Sequence, residues 1–268
     1  MRPECSGTAE RLEALYRKIN RRKFVHPDPL EFLYGYPSVR DREIAGLVAA
    51  SLAYGRVAQI LKSTKTILGA MGPSPARFLL EIGPEGLEAP LAGFKHRFAT
   101  GAHVCDMLAG ARKMVDRYGS LYQGFMAGYC FGHATIVPAL DRFCRILAAA
   151  GSPGHLIPLP HRGSACKRMN LFLRWMIRKD AVDPGGWSGI PASKLVIPLD
   201  VHMHRIALRM GLTRRRSCSL ATALEVTAGF SRWAPDDPVR YDFALTRLGI
   251  RDDMSMEDVI PRESPPLE

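Results

Sequence analysis

The stretch from Leu159 to Gly211 constrains the fold most, because it sets helical geometry twice and places a reactive group at each start. Pro160 and Gly163 break the chain, Ser164 is a capping residue type, and Met169, Phe172, Leu173, Met176 and Ile177 then recur at helical spacing. On the opposite side Lys167, Asn170, Arg174 and Arg178 fall at i, i+3, i+7 and i+11, the face that an amphipathic helix ordinarily turns to solvent. Asp183-Pro184-Gly185-Gly186 ends this element as a loop. A short extended run from Leu195 to Leu199, broken by Pro198, leads to Asp200 at the N-cap position of a second helix. Its buried stripe is Met203, Ile206, Ala207 and Met210, and Gly211 stops it. The segment therefore offers an amine in the first turn of one helix and a carboxylate at the start of another.

The rest of the chain reads as helix in the same way. A first helix over 8–23 carries Leu12, Leu15, Tyr16 and Ile19 on one side and ends in Arg21-Arg22-Lys23, cations that suit a helix C-terminus. Ser38-x-x-Asp41 predicts a capping box for a helix that buries Ile44, Leu47, Val48, Ser51 and Leu52. Ala45, Gly46, Ala49, Ala50 and Ala53 in that helix allow neighbours to approach closely. Further helices are expected over 58–70, 103–118, 120–130, 137–150 and 218–230. Asp237-Pro238 forms an N-cap and N1 pair expected to open a last helix that ends at Gly249. Sustained strand alternation occurs nowhere, so the fold class is all-α with helices in orthogonal array. Gly151-Ser152-Pro153-Gly154 is the clearest internal boundary. It divides the chain into an N-terminal helix and connector (1–36), a helical domain (37–154), a second helical domain with Lys167 and Asp200 (155–251), and an acidic tail (252–268).

Charge bears on the partner. The 268 residues hold 37 Lys plus Arg against 26 Asp plus Glu, a formal net charge of +11 that favours a polyanion. Six cysteines are scattered with no CxxC pair, which excludes the tight four-cysteine loop of iron–sulfur proteins. Reduced thiols of this kind suit a cytoplasmic location. The N-terminus holds Glu4, Glu10 and Glu13 and lacks the apolar core of a signal peptide. The most apolar run, Ala45–Ala53, is too short to span a bilayer, so no membrane partner is expected.

Leu159-Pro160-His161-Arg162-Gly163 followed by Lys167, together with Ile197-Pro198-Leu199-Asp200-Val201-His202, resembles the helix-hairpin-helix DNA glycosylases. In that superfamily a hairpin turn precedes a helix bearing a nucleophilic lysine, and an aspartate caps a later helix. The lysine-to-aspartate separation is longer than in the endonuclease III branch and is more similar to the archaeal 8-oxoguanine glycosylase branch. The resemblance implies the orthogonal array of the glycosylase type, with Lys167 as nucleophile, Asp200 as its electrostatic partner, and no cofactor. It also implies damaged or abasic DNA as the partner, bound through Arg162, Gly163, Ser164, Arg168, His202 and Arg205. Tyr54 and Arg56 fall where glycosylases carry polar residues that plug the gap left by an extruded base, although the usual paired glutamines are missing. The hairpin departs too, since His161-Arg162 occupy the usual Gly-apolar positions; a backbone phosphate contact there is weakened, and Arg162 offers charge instead. At whole-chain level the sequence is also similar to a mostly bacterial family defined as a domain of unknown function, through 40–56, the central segment and 236–244.

The implied chemistry makes definite demands. Excising a base requires the nucleotide to be drawn out of the stack and positive charge on the sugar to be stabilised. A lysine can attack the anomeric carbon as the neutral amine, and burial beside Arg162 and Arg168 favours that form. A helix N-terminus keeps Asp200 ionised, so that it can offset the sugar's charge. Three other readings compete on the same residues. Asp200 and His204, one helical turn apart, can share a metal with His161 or His155, but no second ligand pair stands at a familiar spacing, and no metal is expected. Cys166, flanked by cations, can be a reactive thiol. Arg162, Lys167, Arg168, Arg174, Arg178 and Lys179, facing Arg205, Arg209 and Arg214–Arg216, can form a phosphate-tracking groove, with Trp175 and Trp187 to stack on bases. A module of that last kind can bind DNA or RNA without catalysis, which is the alternative function.

Overall fold

The computed structural model describes residues 3–248. Its helices are α1 (Pro3–Ile19), α2 (Val39–Ser51), α3 (Val57–Met71), α4 (Pro75–Glu81), α5 (Gly101–Tyr118) and α6 (Leu121–Met126). They continue with α7 (Val137–Ala148), α8 (Lys167–Ile177), α9 (Val201–Arg209), α10 (Leu220–Ser231) and α11 (Asp242–Leu248). A two-stranded antiparallel hairpin, β1 (Lys95–His96) and β2 (Ala99–Thr100), departs from the otherwise helical expectation. The all-α class holds.

Helix α2 sits at the centre. Glu43 through Ser51 are all buried, so beyond its exposed first turn this helix has no solvent face, and it meets α3, α4, α6 and α8. Its small residues permit this: a Cβ added at Gly46 would lie 3.3 Å from the Phe172 ring of α8. Helices α5 and α7 approach still more closely, since a Cβ at Gly110 would lie 1.9 Å from the Leu147 carbonyl oxygen. Ser38, Ser74, Thr100, Ser120 and Ser219 each accept the N3 amide of the helix they open. Ser38-x-x-Asp41 makes only half of the expected box. Ser38 caps α2, while the Asp41 carboxylate accepts from Ser74 Oγ at 2.7 Å and Ala76 N at 3.0 Å and fastens the start of α4.

Two expectations are corrected. Asp237-Pro238 does not open the last helix; the chain turns there, α11 begins at Asp242, and the Asp237 carboxylate accepts from Arg178 Nε at 2.9 Å. The expected end at Gly249 and the acidic tail lie outside the described residues. Beyond Lys167, the charged face of α8 is turned away from solvent. Arg174 is buried against Asp183 and Asp242, and Arg178 against Asp180, Asp183 and Asp237. Asp180 also accepts from Tyr16 Oη and Asn20 Nδ2, each at 3.1 Å, which ties α1 to the same cluster. The loop at 183–186 folds back so that Gly185 N donates to the Trp175 carbonyl at 3.0 Å and Trp187 N to that of Met176 at 2.8 Å. Periodicity identified the polar side correctly, but counter-charges from distant segments turned it inward.

Candidate active site

Lys167 and Asp200 meet. Asp200 caps α9 through one carboxylate oxygen, Oδ1, which accepts from His202 N and Met203 N at 2.9 Å each. That leaves Oδ2 to face Lys167 Nζ at 3.2 Å. The amine also donates to the Ala53 carbonyl at 3.2 Å, just beyond the C-terminus of α2, where carbonyls lack helical partners and attract cations. Lys167 thus bridges the negative end of α2 and the carboxylate at the head of α9. Burial alone pushes the Asp200 carboxyl up, but the Lys167 ammonium and the Met203 amide outweigh it and hold the group below the usual carboxylate value.

The residue before the lysine is strained. Cys166 occupies the N-cap of α8 with φ +48°, a left-handed conformation that non-glycine residues adopt at a cost of about 1 kcal/mol or more. Its thiol is buried and is pushed up to about 11, chiefly by burial, so the competing reading of Cys166 as a reactive thiol does not hold. The turn ahead of it is a single 3-10 turn over Pro160–Arg162, closed by Gly163 N donating to the Pro160 carbonyl at 2.8 Å with Gly163 at φ +79°. Asp141 of α7 anchors this turn by accepting from His161 N at 3.0 Å. Arg162 and Gly163 are exposed. Ser164 accepts from Cys166 N and pairs with Ser219, so its hydroxyl serves the local backbone.

Two hollows open on either side of the pair and share Ala53, Gly55, Ile60, Lys167, Asp200 and His202 as common wall. The wider one, about 580 Å³, is rimmed by Tyr54, Arg97, Phe98, His155 and Arg168. The narrower one, about 310 Å³, is lined further by Arg174, Trp175, Asp242 and Arg247. Arg168 lies over the Tyr54 ring at 5.0 Å and donates to the carbonyls of Ser51 and His155, so its guanidinium is partly engaged by protein. Tyr54 donates to the His96 carbonyl at 2.9 Å and stands 2.7 Å from His155 Nε2, an arrangement that makes it a fixed wall residue. Arg56 is exposed at the head of α3, and His202 is exposed on the common wall. Arg205 is exposed on α9 and lies outside both walls.

Other expectations fare differently. His161 is bound to Asp141, His155 to Tyr54, and His204 to the Arg215 carbonyl at 2.8 Å, so none joins Asp200. Among the described residues no group of three His, Cys, Asp or Glu side chains gathers to hold a metal. The phosphate-tracking groove loses Arg174 and Arg178 to buried ion pairs. Trp187 is corrected as a stacking platform: it is buried among Phe125, Phe143 and Phe172, and its indole donates to Glu43 at 2.9 Å. Trp175 is 1% exposed and also unavailable for surface stacking.

Sequence reasoning missed the residue most open to a ligand. Phe98 is 73% exposed at the tip of the β1–β2 hairpin, with Arg97 beside it, on the rim of the wider hollow. The only available signal was weak: a two-residue turn without the glycine or asparagine that usually marks one. No helix among the described residues is long and apolar enough to cross a membrane, and Cys105, Cys130, Cys144, Cys166 and Cys218 are free thiols.

The chain matches the family model described as "Protein of unknown function (DUF2400)" over residues 28–251. No curated protein and no solved structure matched the chain.

Proposed function

The chain belongs to the DUF2400 family of proteins of unknown function, and because membership carries no activity we propose one from the site: base excision of the helix-hairpin-helix glycosylase type, with Schiff-base lyase chemistry on DNA. The observation that carries this reading is the 3.2 Å approach of Lys167 Nζ to Asp200 Oδ2 at the junction of two hollows. An amine and a carboxylate so placed are what displacement at an anomeric carbon requires. Lys167 gives up a proton, its lone pair forms a bond to C1 of the sugar, and the bond from C1 to the base breaks with its electron pair leaving on the base. The departing base takes up the proton that Lys167 released, and the Asp200 carboxylate offsets the positive charge that develops on the sugar. The bond from C1 to the ring oxygen then breaks, a proton passes from the Lys167 nitrogen to that oxygen, and the nitrogen's electron pair forms the protonated Schiff base with C1.

The surroundings support the same reading. Asp200 is ionised in the resting site, which suits an electrostatic partner better than a proton donor. Arg56 and Arg97 stand exposed near the wider hollow, where a phosphate backbone would pass. Phe98, and not the fixed Tyr54, is the aromatic free to stack on a base or fill its place.

The test is borohydride trapping on an oligonucleotide containing an abasic site. A covalent adduct is expected with the wild type and not with Lys167→Ala. Salt-sensitive binding without any adduct would instead favour a nucleic-acid-binding module that lacks the chemistry. No salt-dependent binding to DNA or RNA would remove both readings.

A further inference from the structure

The Lys167–Asp200 pair supplies a nucleophile and a counter-charge, but no group ready to take a proton from carbon. Asp200 Oδ1 accepts from two amides and Oδ2 faces Lys167. Burial pushes its carboxyl up, yet the Lys167 ammonium holds it below the usual value, which makes it a weak base. The Cys218 thiol on the wall of the wider hollow is pushed up by burial and by Asp200, so it stays protonated near neutral pH.

His155 is placed differently. Its ring is half-buried on the wall of the wider hollow, and two contacts tie it to the site. Its carbonyl accepts from the guanidinium of Arg168, the residue after Lys167. Its Nε2 lies 2.7 Å from the hydroxyl of Tyr54, the residue after Ala53, whose carbonyl accepts from Lys167 Nζ. The protons of this network can be assigned. A phenol hydroxyl has one proton, and Tyr54 gives it to the His96 carbonyl at 2.9 Å, a group that can only accept. His155 Nε2 is therefore the donor to the Tyr54 oxygen, and the neutral ring carries its proton there. Nδ1 is left with its lone pair. It has no hydrogen-bond partner among the described residues and is not one of the enclosed polar atoms that lack one, so it reaches open space. Burial lowers the His155 pKa, and so do the positive charges that can face it, Arg168 of α8, His103 of α5 and His96 of β1. A neutral imidazole is well matched to accepting a proton near pH 7.

We propose that His155 Nδ1 is the general base of the lyase step, with Tyr54 as the positioning residue that fixes its tautomer. The inference rests on the Schiff base proposed above and assigns the proton transfer which that chemistry leaves open. Nδ1 takes the proton from C2 of the opened sugar, the C2–H pair becomes a C1=C2 bond, and the C=N pair returns to the Lys167 nitrogen. The nitrogen pair then re-forms C=N, the C1=C2 pair moves to C2=C3, and the C3–O bond breaks with its pair leaving on the 3′ phosphate. His155 passes its proton to water.

Adduct formation and strand cleavage separate this step from the one before it. Abasic-site DNA is incubated with the full-length protein, and borohydride-trapped adduct and cleaved strand are quantified in parallel. His155→Gln keeps an N–H for Tyr54 and offers no base at the Nδ1 position. Its adduct should stay within about threefold of wild type while cleavage falls about a hundredfold. In His155→Ala the same loss should be partly reversed by added imidazole, which a purely structural role does not allow. Tyr54→Phe should lower cleavage without lowering adduct, and thermal melting confirms that each variant is folded. Nitrogen NMR should show the wild-type ring neutral at about pH 7 with its proton on Nε2, and Tyr54→Phe should mix the tautomers. Cleavage that survives both His155 substitutions, or a ring carrying its proton on Nδ1, would overturn the proposal. No adduct from the wild type would remove the Schiff-base reading and this step with it, whereas an adduct whose cleavage ignores His155 would remove only the base.

Discussion

Asp200 does two jobs with two oxygens, and its substitutions separate them. Oδ1 caps α9 and Oδ2 faces Lys167. Asparagine is as good an N-cap as aspartate, whereas alanine is not, so Asp200→Ala should cost about 1 kcal/mol in urea unfolding at pH 7 from the cap alone. Asp200→Asn should keep the cap and lose the carboxylate's charge. The sign of its pH dependence follows from the lowered carboxyl. A depressed acid stabilises the folded state fully above its unfolded value, about 3.9, and loses that contribution as pH falls through the lower folded value. The stability gap between wild type and Asp200→Asn should therefore narrow on acidification below about pH 4. A gap that widens there would contradict the ion pair. Lys167 and Asp200 were legible as residues because each sits at a helix start marked by Pro, Gly or a cap. Asp242 was not, since nothing local distinguishes a carboxylate that will be buried against the arginine of a distant helix.

Helix α8 is the element on which local pattern and tertiary context diverged. Its apolar stripe was readable, and Met169, Phe172, Leu173 and Met176 are indeed buried. Its charged side looked like a solvent face, but Arg174 and Arg178 are 3% and 6% exposed and meet aspartates from three later stretches of chain. Helical spacing reports which residues share a side; it does not report what will come to cover that side. Asp183, fully buried, touches both arginines. Removing one member of a buried ion cluster leaves uncompensated charge, so Asp183→Ala should lower unfolding free energy by about 3–5 kcal/mol. Arg205→Ala, on an exposed site, should stay within about 0.5 kcal/mol of wild type. A small effect for Asp183→Ala in the same urea titration would mean that the cluster is more hydrated than its burial indicates.

For the whole molecule, the all-α class and most helix positions followed from periodicity, and the excess of positive charge followed from composition. Which cations remain available depended on the assembled fold: those of α8 are consumed internally, while Arg56, Arg97, Arg162, Arg214 and Arg216 stay exposed. The β1–β2 hairpin, too short to show alternation, became the exposed feature beside the site. Phe98→Ala should weaken binding to single-stranded or abasic DNA by about 1–3 kcal/mol, the usual worth of one aromatic stack. The slope of affinity against salt should be unchanged, because no phosphate contact is lost. Arg97→Ala should do the reverse: a shallower salt slope with a smaller loss of affinity at high salt. Equal effects of both variants on the slope would mean that Phe98 does not stack.

The most direct measurement is the position of the covalent bond. Full-length protein is reacted with abasic-site DNA in borohydride, the adduct is digested, and the modified peptide is identified by mass spectrometry. The expected result is reduced sugar on the side-chain nitrogen of Lys167, and in no appreciable amount elsewhere. Modification of a different lysine or of the chain's terminal amine, or no adduct from folded protein that binds the DNA, would contradict an amine at the head of α8 acting as the nucleophile.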